Sequence, residues 1–212
     1  RSPIAMQPII VAYVLTLALL IPVSGWLADK LGTKNIFCTA IVIFTVGSLF
    51  CALSNSLEQL VLSRIVQAIG GAMMVPVARL AMLYTYPKKI LLQVLNYATV
   101  PGMVGPIVGP SLGGWIVEIA SWEWIFLINL PIGAVTLWMA TFAIPNHKAP
   151  VGKFDYTGFI LFGSAITIAT LAMELGIDHQ VKYSIIASLV IATILLIYLY
   201  VKHAKRVPKP LI

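Results

Sequence analysis

Apolar residues run in long blocks along this chain, and polar residues gather in the gaps between them. Blocks of about 20 apolar residues are what a helix needs to cross the hydrocarbon core of a bilayer. Seven are legible, with limits near Ile9 to Leu27, Ile36 to Leu53, Leu60 to Tyr84, Leu91 to Val117, Trp124 to Ile144, Gly158 to Leu175 and Tyr183 to Val201. The links are mostly short, which suits antiparallel neighbours. The expected fold class is therefore all-α, a polytopic membrane helix bundle with about seven transmembrane helices.

Composition agrees: 60% of the 212 residues are hydrophobic, 10% are charged, and the mean hydropathy is +0.98. The net charge of +7 is placed by side rather than spread. Lys30, Lys34, Lys88, Lys89, Lys148, Lys153, Lys202, Lys205, Arg206 and Lys209 fall in alternate links or after the last block, whereas Arg1 and Lys182 share the other side with Glu58, Glu118, Glu123 and Asp178. By the positive-inside rule the lysine-rich side is cytoplasmic, and the first block runs from outside to inside. This placement argues for a bilayer and against nucleic acid as the partner of the basic residues. The chain opens on Arg1-Ser2-Pro3 and closes on Pro208-Lys209-Pro210-Leu211-Ile212, so it reads as a fragment with at least one span before it and more protein after it.

Chemistry-bearing residues are sparse. Cys38 and Cys51 stand 13 positions apart in one block, roughly 20 Å of helical rise, too far to pair with each other. His147, His179 and His203 lie in separate links or the tail without metal-ligand spacing. The blocks hold no convincing acid-base pair, nucleophile constellation or metal cluster, so neither an enzyme nor a cofactor is expected.

Three polar or glycine-rich stretches break the apolar pattern. Gly25-Trp26-Leu27-Ala28-Asp29-Lys30-Leu31-Gly32-Thr33-Lys34 closes the first block; its glycines permit a tight reversal, and Asp29, Lys30 and Lys34 can tie adjacent helix ends. An ordinary interfacial turn with topology-setting lysines is the alternative. In the third block Arg64, Gln67 and Gly71 share one helical face at steps of three and four. Arg64 would lie about 10 Å inside a helix starting at Leu57. It must face the bundle interior and find a partner, or snorkel to the outer surface. Arg79 and Glu174 stand nearer the ends of their blocks, where snorkelling or an interfacial position is expected, an aqueous path being the alternative for Glu174. The fourth block holds Gly105, Gly109 and Gly113 at steps of four, with Pro110 and Gly114 beside them. Such a stripe suits close approach of a second backbone, with or without a transport role.

These stretches resemble signatures of the major facilitator superfamily. Gly25, Asp29, Lys30, Gly32 and Lys34 match its cytoplasmic loop signature, which Thr33 departs from; Arg64 and Gln67 match its helix 4 signature, with Ala68 replacing a glycine; Gly105, Gly109, Pro110, Gly113 and Gly114 match its antiporter signature. Trp122 to Gly133 resembles the entry to helix 6 of drug exporters. Phe154 to Phe159, where Asp155 would make a good N-cap, resembles the start of an additional helix in the fourteen-span EmrB/QacA type of drug:proton antiporter. The resemblance implies an incomplete N-terminal bundle over 1–144 (family helices 2 to 6), a cytoplasmic linker over 145–157, and two central extra helices with the start of a cytoplasmic loop over 158–212. It also implies proton-coupled efflux of small amphipathic or cationic compounds across a bacterial inner or plasma membrane. Arg64 and Gln67 would face the cavity and serve substrate and proton coupling; the glycine signature would pack against a C-terminal half this chain lacks. An importer or uniporter of the same fold, or a non-transporting membrane interaction protein, is the alternative.

One internal echo does not depend on the resemblance. Pro22 to Asp29 and Pro110 to Glu118 both end in Gly-Trp-x-x-acid, one at the inner and one at the outer membrane face. Inverted repeats would make them equivalent gate contacts.

Overall fold

The structure, a computed structural model, describes residues 6–177 and 183–207. Arg1, Asp178, His179, Lys182 and Lys209, and both chain ends, lie outside the described residues. Eight helices follow in order: α1 (Gln7–Leu31), α2 (Thr33–Ala52), α3 (Leu57–Thr85), α4 (Lys88–Ile119), α5 (Trp124–Leu127), α6 (Asn129–Ala143), α7 (Tyr156–Ile177) and α8 (Tyr183–Ala204). With α5 and α6 taken as one span, seven segments are long and apolar enough to cross a membrane, as the block pattern predicts.

The fifth block was expected to form a single helix and is divided at Ile128. Pro131 has no N–H to give to the carbonyl of Leu127, so the first turn of this span is released from the rest. The helix interiors around Pro22 and Pro76 stay continuous, as does α4 through Gly105, Gly109 and Pro110. His203, expected in the tail, belongs to the last turn of α8.

Small residues set the packing. Between α2 and α3, a Cβ on Gly47 would come within 2.5 Å of the Gln67 backbone, and one on Gly70 would run into the Phe44 amide and the Ala40 carbonyl. The two backbones meet at these glycines, where ordinary side chains would hold them apart. Around that contact Ala28, Ile36, Ala40, Met73 and Val77 form the core. α1 packs on α3, α6 on α2, and α7 pairs with α8 and reaches α1. α4 differs: it meets α3 and α5 over short stretches, and among the described residues a Cβ on Gly105, Gly109, Gly113 or Gly114 would find nothing from another element within 4 Å.

Links are fixed by capping. Ser56 caps α3 by accepting from the Gln59 amide at 3.2 Å, and the Gln59 side chain accepts in return from the Asn55 amide at 2.9 Å. Gly32 joins α1 to α2 with φ of +106°, a conformation that favours glycine. Asp155 caps α7 as expected, accepting from the Gly158 amide at 2.8 Å.

Candidate functional site

Arg64 sits two turns into α3 and turns inward. Its guanidinium lies 4.0 Å from the ring centre of Tyr13 on α1 and 5.7 Å from that of Phe126 on α5. One terminal nitrogen donates to Gln67 Oε1 at 2.7 Å. The snorkelling alternative is thereby set aside. A partly desolvated cation stacked on an aromatic face gains about 1 to 2 kcal/mol, which offsets part of the cost of holding it at this depth.

Gln67 is only 2% exposed, behind Arg64 in the α2–α3 interface and not on an open wall. Its amide nitrogen donates to Ser48 Oγ at 2.6 Å, and Ser48 donates onward to the Phe44 carbonyl at 2.9 Å. Asn129, at the start of α6, adds a 3.4 Å contact to the same serine oxygen. Cys51 Sγ lies 3.9 Å from Gln67 Oε1. Gly71 completes the face anticipated from spacing: a Cβ there would stand 3.2 Å from the Tyr13 hydroxyl, so the glycine gives the ring its seat. The chain thus links α1, α2, α3, α5 and α6 around one cation.

The arrangement is incomplete at one atom. Arg64 Nε is buried without a hydrogen-bond partner, and among the described residues no carboxylate oxygen lies within 4.0 Å of an Arg64 nitrogen. A guanidinium so placed can accept a carboxylate, and the pair would weaken when that acid is protonated. Tyr13, Ser48, Phe126 and Asn129 were not among the residues singled out for this site. They come from other helices, and no spacing in the sequence brings them to Arg64.

At the C-terminal end of α1 the loop signature is brought together with α3, α6 and the segment after α6. Asp29 accepts from the Tyr84 hydroxyl at 2.8 Å, Lys30 lies 4.5 Å from the Trp26 ring centre, and Lys34 donates to the Thr141 carbonyl at 2.5 Å. Gly32 faces the Asn146 side chain, while Gly25 has open space about its Cα. The antiporter-signature glycines stand apart, along the uncovered face of α4. Arg79 is exposed on the wall of a cleft of about 550 Å³ between α3 and α4, with Met74, Met82 and Thr99.

Comparison with known proteins matches the family model described as Major Facilitator Superfamily to residues 2–158. Among curated proteins, the chain is 47% identical over 211 residues to the "Putative multidrug resistance protein MdtD" of Citrobacter koseri, covering 100% of this chain and 45% of that protein. Proteins of the same description from Salmonella paratyphi B and Escherichia coli are 48% and 46% identical, each over 97% of this chain and 44% of the relative. The chain therefore spans less than half the length of the curated relatives it matches.

Proposed function

Because the chain belongs to the Major Facilitator Superfamily, we propose that this multi-pass membrane protein is part of a secondary transporter that exports small amphipathic or cationic compounds in exchange for protons. The setting would be a bacterial inner membrane, and the cargo class follows what the relatives' names say of them. In this reading α1 to α6 form an incomplete N-terminal bundle over 1–144, residues 145–157 are a cytoplasmic linker, and α7 and α8 are two additional central helices.

The observation that carries the reading is Arg64. A half-buried cation set among Tyr13, Gln67 and Phe126, with its buried Nε unsatisfied among the described residues, is costly unless a carboxylate reaches it for part of the cycle. We assign that carboxylate to another helix of the full-length protein. Proton binding to it releases Arg64 and biases the equilibrium between inward-open and outward-open states; proton release restores the pair. Gln67 holds Arg64 in register through Ser48. The bare glycine face of α4 supports a second helix docking there, where the backbones could meet as α2 and α3 do at Gly47 and Gly70.

Arg64→Ala in the full-length protein tests this. Proton-driven accumulation of a fluorescent cationic dye within inside-out vesicles, or its proton-driven extrusion from intact cells, should fall at least about tenfold with expression preserved, the loss expected when a charge-assisted pair is removed. Unchanged efflux would remove Arg64 from coupling. Proton-driven uptake into cells, rather than extrusion, would favour an importer on the same fold.

A further inference from the structure

The segment after α6 does not hang free below the membrane. It is stitched to the α1–α2 turn along its length. The Thr33 amide donates to the His147 carbonyl at 3.0 Å, the His147 amide donates to Thr33 Oγ1 at 3.1 Å, and that hydroxyl donates to the Pro145 carbonyl at 3.1 Å. The Ala149 amide donates to the Asp29 carbonyl at 3.0 Å, and the Trp26 indole N–H donates to the Gly152 carbonyl at 3.1 Å. Phe154 then meets the Trp26 ring edge-on at 5.0 Å between centres. Thr33, fully buried, is the position at which the loop signature departs from its pattern. A basic residue there could not accept the His147 amide as the threonine hydroxyl does.

The far end of this segment is fastened to the last two helices. Asp155 Oδ1 accepts from the Gly158 amide at the start of α7 and also lies 2.7 Å from His203 Nε2 in the last turn of α8. Phe154 packs on Tyr156 and Phe159 of α7, at 5.0 Å and 5.9 Å between ring centres. A continuous set of contacts therefore runs from α8 through Asp155 and Phe154 to Trp26, Asp29 and Thr33.

We infer that the α7–α8 pair sets the position of the α1–α2 turn, with His203 and Asp155 as the fastening and Trp26 and Thr33 as positioning residues on the turn. The coupling is a property of the fold; its consequence for transport rests on the export reading above. If that turn moves with the cytoplasmic gate, α7 and α8 control how readily the gate opens, while contacts at the substrate remain unaltered. Loosening the fastening then lowers turnover and leaves the apparent KM in place.

The test is hydrogen exchange on the full-length protein in lipid nanodiscs, read by mass spectrometry without any substrate. His203→Ala should speed exchange at the Thr33 and Ala149 amides about tenfold, although neither residue touches His203, because their hydrogen bonds belong to the loosened segment. His203→Gln, which retains a side-chain donor, should restore most of the protection. Thr33→Val removes the stitch from the other end without altering α7 or α8 and should expose the amides at 147–149. Faster exchange confined to 155–158 and 200–204 in His203→Ala would overturn the coupling. In transport, His203→Ala should lower turnover about fivefold at unchanged KM; an altered KM with normal turnover would overturn the gating role. Exchange needs no cargo, so its failure sinks the coupling alone, whereas absence of proton-linked efflux from the unaltered protein would sink the export reading alone.

Discussion

Tyr13 shows how much of the site depends on a single side chain. Its ring, 4.0 Å from the Arg64 guanidinium, replaces part of the hydration that the cation gives up. Tyr13→Leu should therefore destabilise the bundle by about 2 kcal/mol, whereas Tyr13→Phe, which keeps the face of the ring, should cost well under half of that. Thermal unfolding of the full-length protein in detergent separates the two; equal losses would show that the hydroxyl, not the ring, matters. At this scale the sequence is informative within a helix and silent between helices. Arg64, Gln67 and Gly71 are legible because steps of three and four put them on one face. Tyr13, Ser48 and Asn129 are ordinary members of apolar blocks until the helices pack. The departures from family pattern do have local causes: Ala68 is fully buried, so its methyl fits where the signature has glycine, and Thr33 is held by the linker.

Two glycine-containing helices make opposite demands at the scale of the element. Gly70 on α3 faces the α2 backbone so closely that a Cβ would collide with the Phe44 amide and the Ala40 carbonyl, atoms that cannot rotate away. Gly109 on α4 has nothing within 4 Å. Gly70→Val should therefore force α2 and α3 apart and cost about 3 kcal/mol, in the range of overpacked cores. Gly109→Ala should leave folding intact or improve it by up to about 1 kcal/mol through helix propensity, while lowering export by obstructing the approach of a second helix. Size-exclusion profiles and dye efflux of the two variants check this; normal export by Gly109→Ala would show that α4 docks elsewhere. Both glycine sets are visible in the sequence, but their surroundings are not. The spacing of Gly105, Gly109 and Gly113 announces a smooth stripe without saying whether it is filled. The division of the fifth block at Ile128 escapes a hydropathy reading because Pro131 counts as one more weakly polar residue, although its missing N–H is what frees Leu127.

At the scale of the whole molecule the two Gly-Trp-x-x-acid ends can be compared directly. Both lie in the closing turns of their helices, Gly25 and Trp26 in α1 and Gly114 and Trp115 in α4. The one on α1 is occupied: Trp26 is bonded to the Gly152 carbonyl and packed by Phe154. The one on α4 is bare, with Trp115 58% exposed and, among the described residues, nothing outside the helix's own backbone and the chain neighbours within 4 Å of where a Cβ on Gly113 or Gly114 would stand. Block lengths made the spans legible, but not this asymmetry, which arises from a linker that folds back about 120 residues after the turn it clasps. If the two ends are equivalent gate contacts of inverted repeats, then closing either one must hold the other open. Cysteine pairs joining Gly25 to the facing helix of the full-length protein should trap it open to the outside, and pairs joining Gly114 to its facing helix should trap it open to the cytoplasm. Maleimide labelling from each side reads the trapped state. The same open side from both crosslinks would leave the echo a coincidence of sequence, with the inner turn acting as the sole gate.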